Sequence, residues 1–231
     1  MSDVSKKNEE IWSKWDGDLR ESRYKKVAKL IRKEKPGRLL DVGCSSGIFS
    51  KQFLKNGWDV HGIDIAKNKV AEANRLGVKA KVADLTGKLP YQNEYFDVIF
   101  AGEVIEHLVD TDFFLKEMNR VLKKGGKLIV TTPNLASWEN KIRIFFGVYP
   151  AWVDYKLGGA GHVRAYTPGA LKQHLRETGF KIEKHIGNFV PIIPEYFLDD
   201  IKFPAYAITG DLFPGLAQGI IMVAKKIKNA A

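Results

Sequence analysis

The 231-residue chain predicts a doubly wound α/β domain, and three observations carry that prediction. Leu39-Leu40-Asp41-Val42 reads as a short strand buried on both faces. Gly43 to Gly47 follow as a turn without bulky side chains, and from Ile48 the pattern is helical, with Phe49, Phe53 and Leu54 facing a sheet. Strand-like and helical runs then alternate along the chain, which implies right-handed βαβ units and a parallel sheet. Finally, acids stand at four successive strand ends: Asp41, Asp64, Asp84 and Glu103.

The elements follow in order. Tyr24, Val27, Ala28 and Ile31 keep helical spacing between Arg20 and Glu34, and Pro36-Gly37 ends that helix. Asp59–Ile63 is strand two, Ala66–Leu76 a helix stopped by Gly77, and Val78–Val82 strand three. Tyr95–Ala101 is a nearly unbroken apolar run, as a buried parallel strand requires. Phe113–Leu122 is a helix, Lys127–Thr131 strand five, and Thr167-Pro168 the cap and first turn of a helix reaching Thr178. Lys181–His185 and Gly219–Ala224 complete seven strands, while Phe189–Gly215 shows no clear period. One domain covers 1–231, with a polar segment at 1–18 bearing Trp12 and Trp15, and an insertion at 134–166 rich in aromatics.

The turn decides the ligand. A dinucleotide fingerprint needs glycine where this chain has Ser45 and Ile48, so that reading fails. One acid about 20 residues beyond the turn suits any ribose. Four acids at strand ends would repel a pyrophosphate but suit a ligand bearing ammonium and sulfonium groups, which favours S-adenosylmethionine over NAD.

Composition narrows the class further. The single cysteine, Cys44, excludes an intrachain disulfide and fits a reducing compartment; a small residue lining the turn explains it better than a nucleophile. Met1–Lys7 lacks an apolar signal core and no run approaches the ~20 apolar residues of a membrane span, so a soluble, cytoplasmic protein is expected. The net charge of +10 gathers on Arg20, Arg23, Lys25, Lys26, Lys29, Arg32, Lys33, Lys35 and Arg38. A solvated helix face explains these better than nucleic acid, because no RNA-binding signature accompanies them.

Leu39–Ser50, Val60–Ile65, Ala83-Asp84-Leu85, Phe96–Leu108 and Arg120–Asn134 together resemble the ordered motifs of class I S-adenosylmethionine-dependent methyltransferases. The likeness is to the branch holding the ubiquinone-biosynthesis O-methyltransferases and the methionine-biosynthesis methyltransferase-like proteins, and it spans roughly residues 20 to 186. Ser45 departs from the glycine of many members. The resemblance implies a Rossmann-like, mostly parallel seven-stranded sheet whose last strand is antiparallel. It implies that Gly43, Ser45 and Gly47 shape the turn against the methionine end, and that Asp41 lies near the ammonium. Asp64, with Ile65 beside it, would take the ribose, Asp84 and Leu85 the adenine, and Ala101, Gly102 and Glu103 the surroundings of the sulfonium.

The methyl acceptor is then a small molecule. Ala101-Gly102-Glu103-Val104 stands where enzymes acting on exocyclic amines place Asn/Asp-Pro-Pro-Tyr, which argues for a hydroxyl instead. A hydroxyl needs a base, and His107 and His162 are the candidates. A second reading puts Glu103, Glu106 and His107 on one helical face as ligands of a divalent cation. The aromatic insertion reads as a cover over the acceptor, as an extra packed helix, or as a peripheral membrane contact. A methyltransferase-like regulatory partner and an RNA methyltransferase are the other function classes; oligomeric state is open.

Overall fold

A computed structural model describes residues 22–155, 161–191 and 203–230. The segment at 1–18 with Trp12 and Trp15 lies outside the described residues, as does the glycine run at 158–160. Helix α1 (Ser22–Ile31) precedes β1 (Arg38–Val42), the four-residue α2 (Lys51–Leu54), β2 (Asp59–Asp64), α3 (Lys67–Arg75) and β3 (Lys79–Val82). Then come β4 (Phe96–Gly102), a 3-10 turn at Ile105–His107, α4 (Thr111–Val121), β5 (Leu122–Pro133) and α5 (Trp138–Phe145). The chain closes with α6 (Pro168–Glu177), β6 (Phe180–Gly187), α7 (Phe203–Leu212) and β7 (Gly219–Lys226).

The seven strands lie in the order β3-β2-β1-β4-β5-β7-β6. β1 to β5 pair in parallel, and β7 is antiparallel to both β5 and β6. Both faces are covered, which is why the central strands are continuously apolar. On one face Phe114, Leu115 and Met118 of α4 pack with Leu171 and Leu175 of α6. On the other, Val27, Ala28 and Ile31 of α1 pack with Phe49 and Phe53. The carboxyl ends of β1, β2 and β4 open at the point where strand order reverses, the usual place for a ligand in such sheets.

Three local expectations differ from the structure. The helix after the turn does not start at Ile48: Gly47 to Ser50 remain in turns, tied by Gly47 N–H to Cys44 O (2.9 Å), and only Lys51–Leu54 is helical. Strand five starts earlier than Lys127, because Leu122 pairs with Phe96 before a register shift, with Gly125 at φ +80°. The aperiodic stretch after Phe189 contains α7, which is apolar without a polar face; Gly210 approaches β6 so closely that a Cβ there would lie 2.6 Å from Gly187 O.

Asn134 fixes the exit from β5. Its amide donates to Ala217 O (2.8 Å) and Gly215 O (3.2 Å), and its side-chain oxygen accepts from Ala136 N–H (2.9 Å). Truncation leaves the buried Ala217 carbonyl without its donor and frees the half-buried Ala136 N–H. Asn134→Ala is expected to lower the unfolding free energy by about 1–3 kcal/mol in urea titration, and an unchanged midpoint and slope would show that the tie carries no stability.

Candidate functional site

The turn after β1 is built from backbone that side chains resist. Gly43 and Gly47 sit at φ +72° and +73°, and an added Cβ would meet Val104 at 2.8 Å and Ala73 at 2.9 Å respectively. Ser45 takes φ +44° between them, a left-handed conformation that costs a non-glycine residue about 1 kcal/mol. What holds it is Asp64: one carboxylate oxygen accepts from Ser45 N–H and the other from Ala66 N–H, each at 2.9 Å. Asp64 thus joins the turn to the start of α3, and it keeps further lone pairs for a ligand.

The neighbouring acids are buried. Asp41 is 4% exposed, accepts a hydrogen bond from Ser50 Oγ, and is pushed up to about 7, chiefly by burial and further by the charge of Asp64. Burial also raises Asp64, against the backbone N–H groups that favour its charge. Cys44 packs under Gly62, where a Cβ would lie 2.6 Å from its sulfur, and burial raises its thiol far above the ordinary range. It lines the turn and does not act as a nucleophile. Asp84 sits half-buried after β3 and accepts from Thr86 N–H (2.9 Å) and Thr86 Oγ1 (2.7 Å). Ile65 and Leu85 are half-buried beside these acids, whereas the Ala101 methyl is wholly within the core, so only its backbone can border a ligand.

After β4 the chain does not turn helical at once, and this separates the acids expected on one face. Glu103 sits at φ +55°, and the 3-10 turn starts only at Ile105. The Glu103 carboxylate is engaged elsewhere: Oε2 pairs with Arg23 Nη1 of α1 (2.8 Å) and Oε1 accepts from Thr131 Oγ1 (2.8 Å). The group that forms is Glu106, His107 and His162, whose ligand-capable atoms all lie within 4.8 Å of one another. The two imidazole centroids are 4.9 Å apart.

Glu106 is 1% exposed; Oε2 accepts from Thr132 Oγ1 (3.1 Å), while Oε1 is buried without a hydrogen-bond partner. Burial, and then the nearby Glu103, raise its carboxyl well above the usual range. Burial and His162 lower His107 to about 4, so its imidazole is neutral at physiological pH. A buried orphan carboxylate oxygen beside two imidazoles fits a divalent cation, and it equally fits proton transfer.

Sequence reasoning grouped Glu103 with Glu106 and His107, where the structure has His162 in place of Glu103, and it missed Arg23 and Asp154. Arg23 was legible in principle, lying one turn before the buried Val27. Asp154 carries no local signal, because it acts on residues seven and eight positions further on.

The buried acid of β1 makes a pH prediction. Its folded pKa lies above the ordinary value, so the native state binds the extra proton between about pH 4 and pH 7 and loses that advantage as pH rises. The unfolding free energy of the ligand-free wild type is therefore expected to fall relative to Asp41→Asn across that interval. A difference that stays constant with pH would remove the buried charge from the account.

Residues 15–185 match the methyltransferase domain family. The ubiquinone biosynthesis O-methyltransferase of Pelagibacter ubique is 37% identical over 103 residues, covering 42% of this chain and 42% of that protein. The human mitochondrial protein of the same name is 29% identical over 201 residues, covering 79% of this chain and 54% of its own length. The chain thus spans about half the length of these curated relatives. An S-adenosylmethionine-dependent methyltransferase from Thermotoga maritima superposes with a TM-score of 0.65 at 20% identity, covering 89% of this chain and 88% of that one. The family match extends over most of the sequence and includes every element of the cradle, so the chain belongs to the methyltransferase domain family.

Proposed function

We propose that the protein transfers a methyl group from S-adenosylmethionine to a hydroxyl of a small molecule. The observation that carries this reading is the Glu106–His107–His162 group, Glu106 and His107 buried and His162 half-buried, with an unpartnered carboxylate oxygen on Glu106, following directly on the acidic cradle. When bound, S-adenosylmethionine supplies a methyl group already activated on sulfonium, so the protein's part is positioning and charge. Gly43, Ser45 and Gly47 leave room at the methionine end, Asp41 and Asp64 offer carboxylates to its ammonium and ribose, and Asp84 with Leu85 borders the adenine. Binding a cation here also relieves the burial cost that raises Asp41 and Asp64.

For the acceptor, the imidazole of His107 or His162 takes the hydroxyl proton as the oxygen bonds to the methyl carbon and the carbon–sulfur bond breaks. In place of that base, Glu106, His107 and His162 would hold a divalent cation, each imidazole having one lone pair to give, and such an ion lowers the pKa of a hydroxyl. Glu103 is not in that set, since its carboxylate serves Arg23 and Thr131. Phe145, Phe146, Tyr149 and Trp152 are 82%, 72%, 48% and 53% exposed on the segment that delivers His162, which suits an acceptor with an apolar or aromatic body. A nucleic-acid substrate finds less support: two cations of the basic helix turn inward, Arg23 to Glu103 and Lys26 to Gly187 O, Ala207 O and Asp211.

Two measurements test the reading. Asp64→Ala is expected to weaken S-adenosylmethionine binding at least about tenfold, through loss of charge-assisted hydrogen bonds of about 1.5–3 kcal/mol each; unchanged affinity in the folded variant removes Asp64 from the ligand. Methyl-labelled cofactor offered with a panel of phenols and catechols is expected to yield labelled ethers, with activity lost on chelation and restored by Mg²⁺ or Mn²⁺. Full activity after exhaustive chelation would leave the histidines as base alone, and no labelled ether on any hydroxyl would contradict O-methylation.

A further inference from the structure

His107 comes from the turn after β4 and His162 from the chain after Gly161, and one carboxylate outside the group binds the backbone of Gly161 and His162. Asp154 Oδ2 accepts from the backbone N–H of Gly161 (2.7 Å) and of His162 (2.9 Å). The carbonyl of Gly161 in turn faces Nδ1 of His107 at 3.1 Å. The carbonyl of Trp152, two residues before Asp154, faces Nδ1 of His162 at 2.8 Å, from a backbone held at φ +64°. Carbonyl oxygens only accept, so in each imidazole Nδ1 carries a proton, and in the neutral form Nε2 holds the lone pair. Further back, Asn140 of α5 secures the same segment by exchanging two hydrogen bonds with the backbone of Ala151, at 2.7 and 3.2 Å.

We propose that Asp154 is a positioning residue: by holding the Gly161–His162 backbone it sets the orientation and the Nδ1–H tautomer of both His107 and His162. Every link in the chain of contacts is a hydrogen bond of ordinary length. The Glu106 carbonyl also accepts from Val163 N–H (2.9 Å) and Arg164 N–H (3.0 Å), which ties the far side of His162, while Asp154 is the side chain that holds the Gly161 and His162 amides. Ligand affinity and proton transfer both need a defined Nε2 lone pair, and partners behind a ligating histidine are what define it. The consequence for catalysis rests on the role given above to Glu106, His107 and His162. The tautomers themselves do not depend on it.

The test uses the full chain, labelled with ¹⁵N, and long-range ¹H–¹⁵N imidazole spectra at about pH 8, where unperturbed histidine is neutral. His107→Ala and His162→Ala assign the two signals. The expected wild-type spectrum has both rings as Nδ1–H. Asp154→Ala is expected to mix the tautomers and weaken Mn²⁺ binding about tenfold or more, with melting temperature and S-adenosylmethionine affinity retained. Asp154→Asn, which keeps an oxygen acceptor in place, is expected to restore both. Nε2–H on either wild-type ring overturns the proposal without any variant. So do unchanged tautomers in Asp154→Ala, or a change that Asp154→Asn fails to rescue. A wild type that binds neither S-adenosylmethionine nor Mn²⁺ while both rings show Nδ1–H, lost in Asp154→Ala, would sink the proposed function and support the positioning role.

Discussion

The sheet's first strand must release its chain into a turn tight enough to leave a ligand-sized space, and the Asp64 carboxylate makes that turn hold. Three residues in five adopt left-handed backbone, one of them a serine. Such a loop is costly unless its donors are satisfied, and Ser45 N–H is satisfied by an oxygen from the neighbouring strand's end. The same carboxylate receives Ala66 N–H, so the turn and the start of α3 are held by one group. Packing enforces the remainder: Val104 and Ala73 stand where any Cβ on Gly43 or Gly47 would go.

From that constraint follows an excess of buried negative groups at the carboxyl ends of the central strands. Asp41, Asp64 and Glu106 are all held above their ordinary range by burial, and all lie at or just after strand ends. A site of this kind favours cationic ligands, because each positive charge brought in offsets a desolvation cost already present. Glu103 instead pairs with Arg23 of α1, the helix that precedes β1. That ion pair links α1 to the cradle and accounts for one of the cations that otherwise look like surface charge.

How much of this the sequence discloses depends on whether the cause is local. Strand ends, turn glycines and the Thr167-Pro168 cap are local, and the structure has them where the residues indicated; the antiparallel last strand agrees with what the family likeness implied. The α7 helix was hidden because its apolar residues are not gathered on one face, and Ile208 and Leu212 are exposed while Gly210 packs close to Gly187. The third member of the site was misplaced for a related reason. Helical spacing grouped Glu103 with Glu106 and His107, but a left-handed Glu103 breaks the helix, and His162 arrives through Asp154 contacts that no periodicity encodes.

The central claim is that the cradle is made for a cationic adenosyl ligand and not for a dinucleotide. Calorimetric titration of the wild-type protein with S-adenosylmethionine and, separately, with NAD tests it most directly. The account predicts saturable one-to-one binding of S-adenosylmethionine, with NAD weaker by at least about a hundredfold, or about 2.7 kcal/mol. Comparable affinity for NAD, or no binding of S-adenosylmethionine, would contradict it.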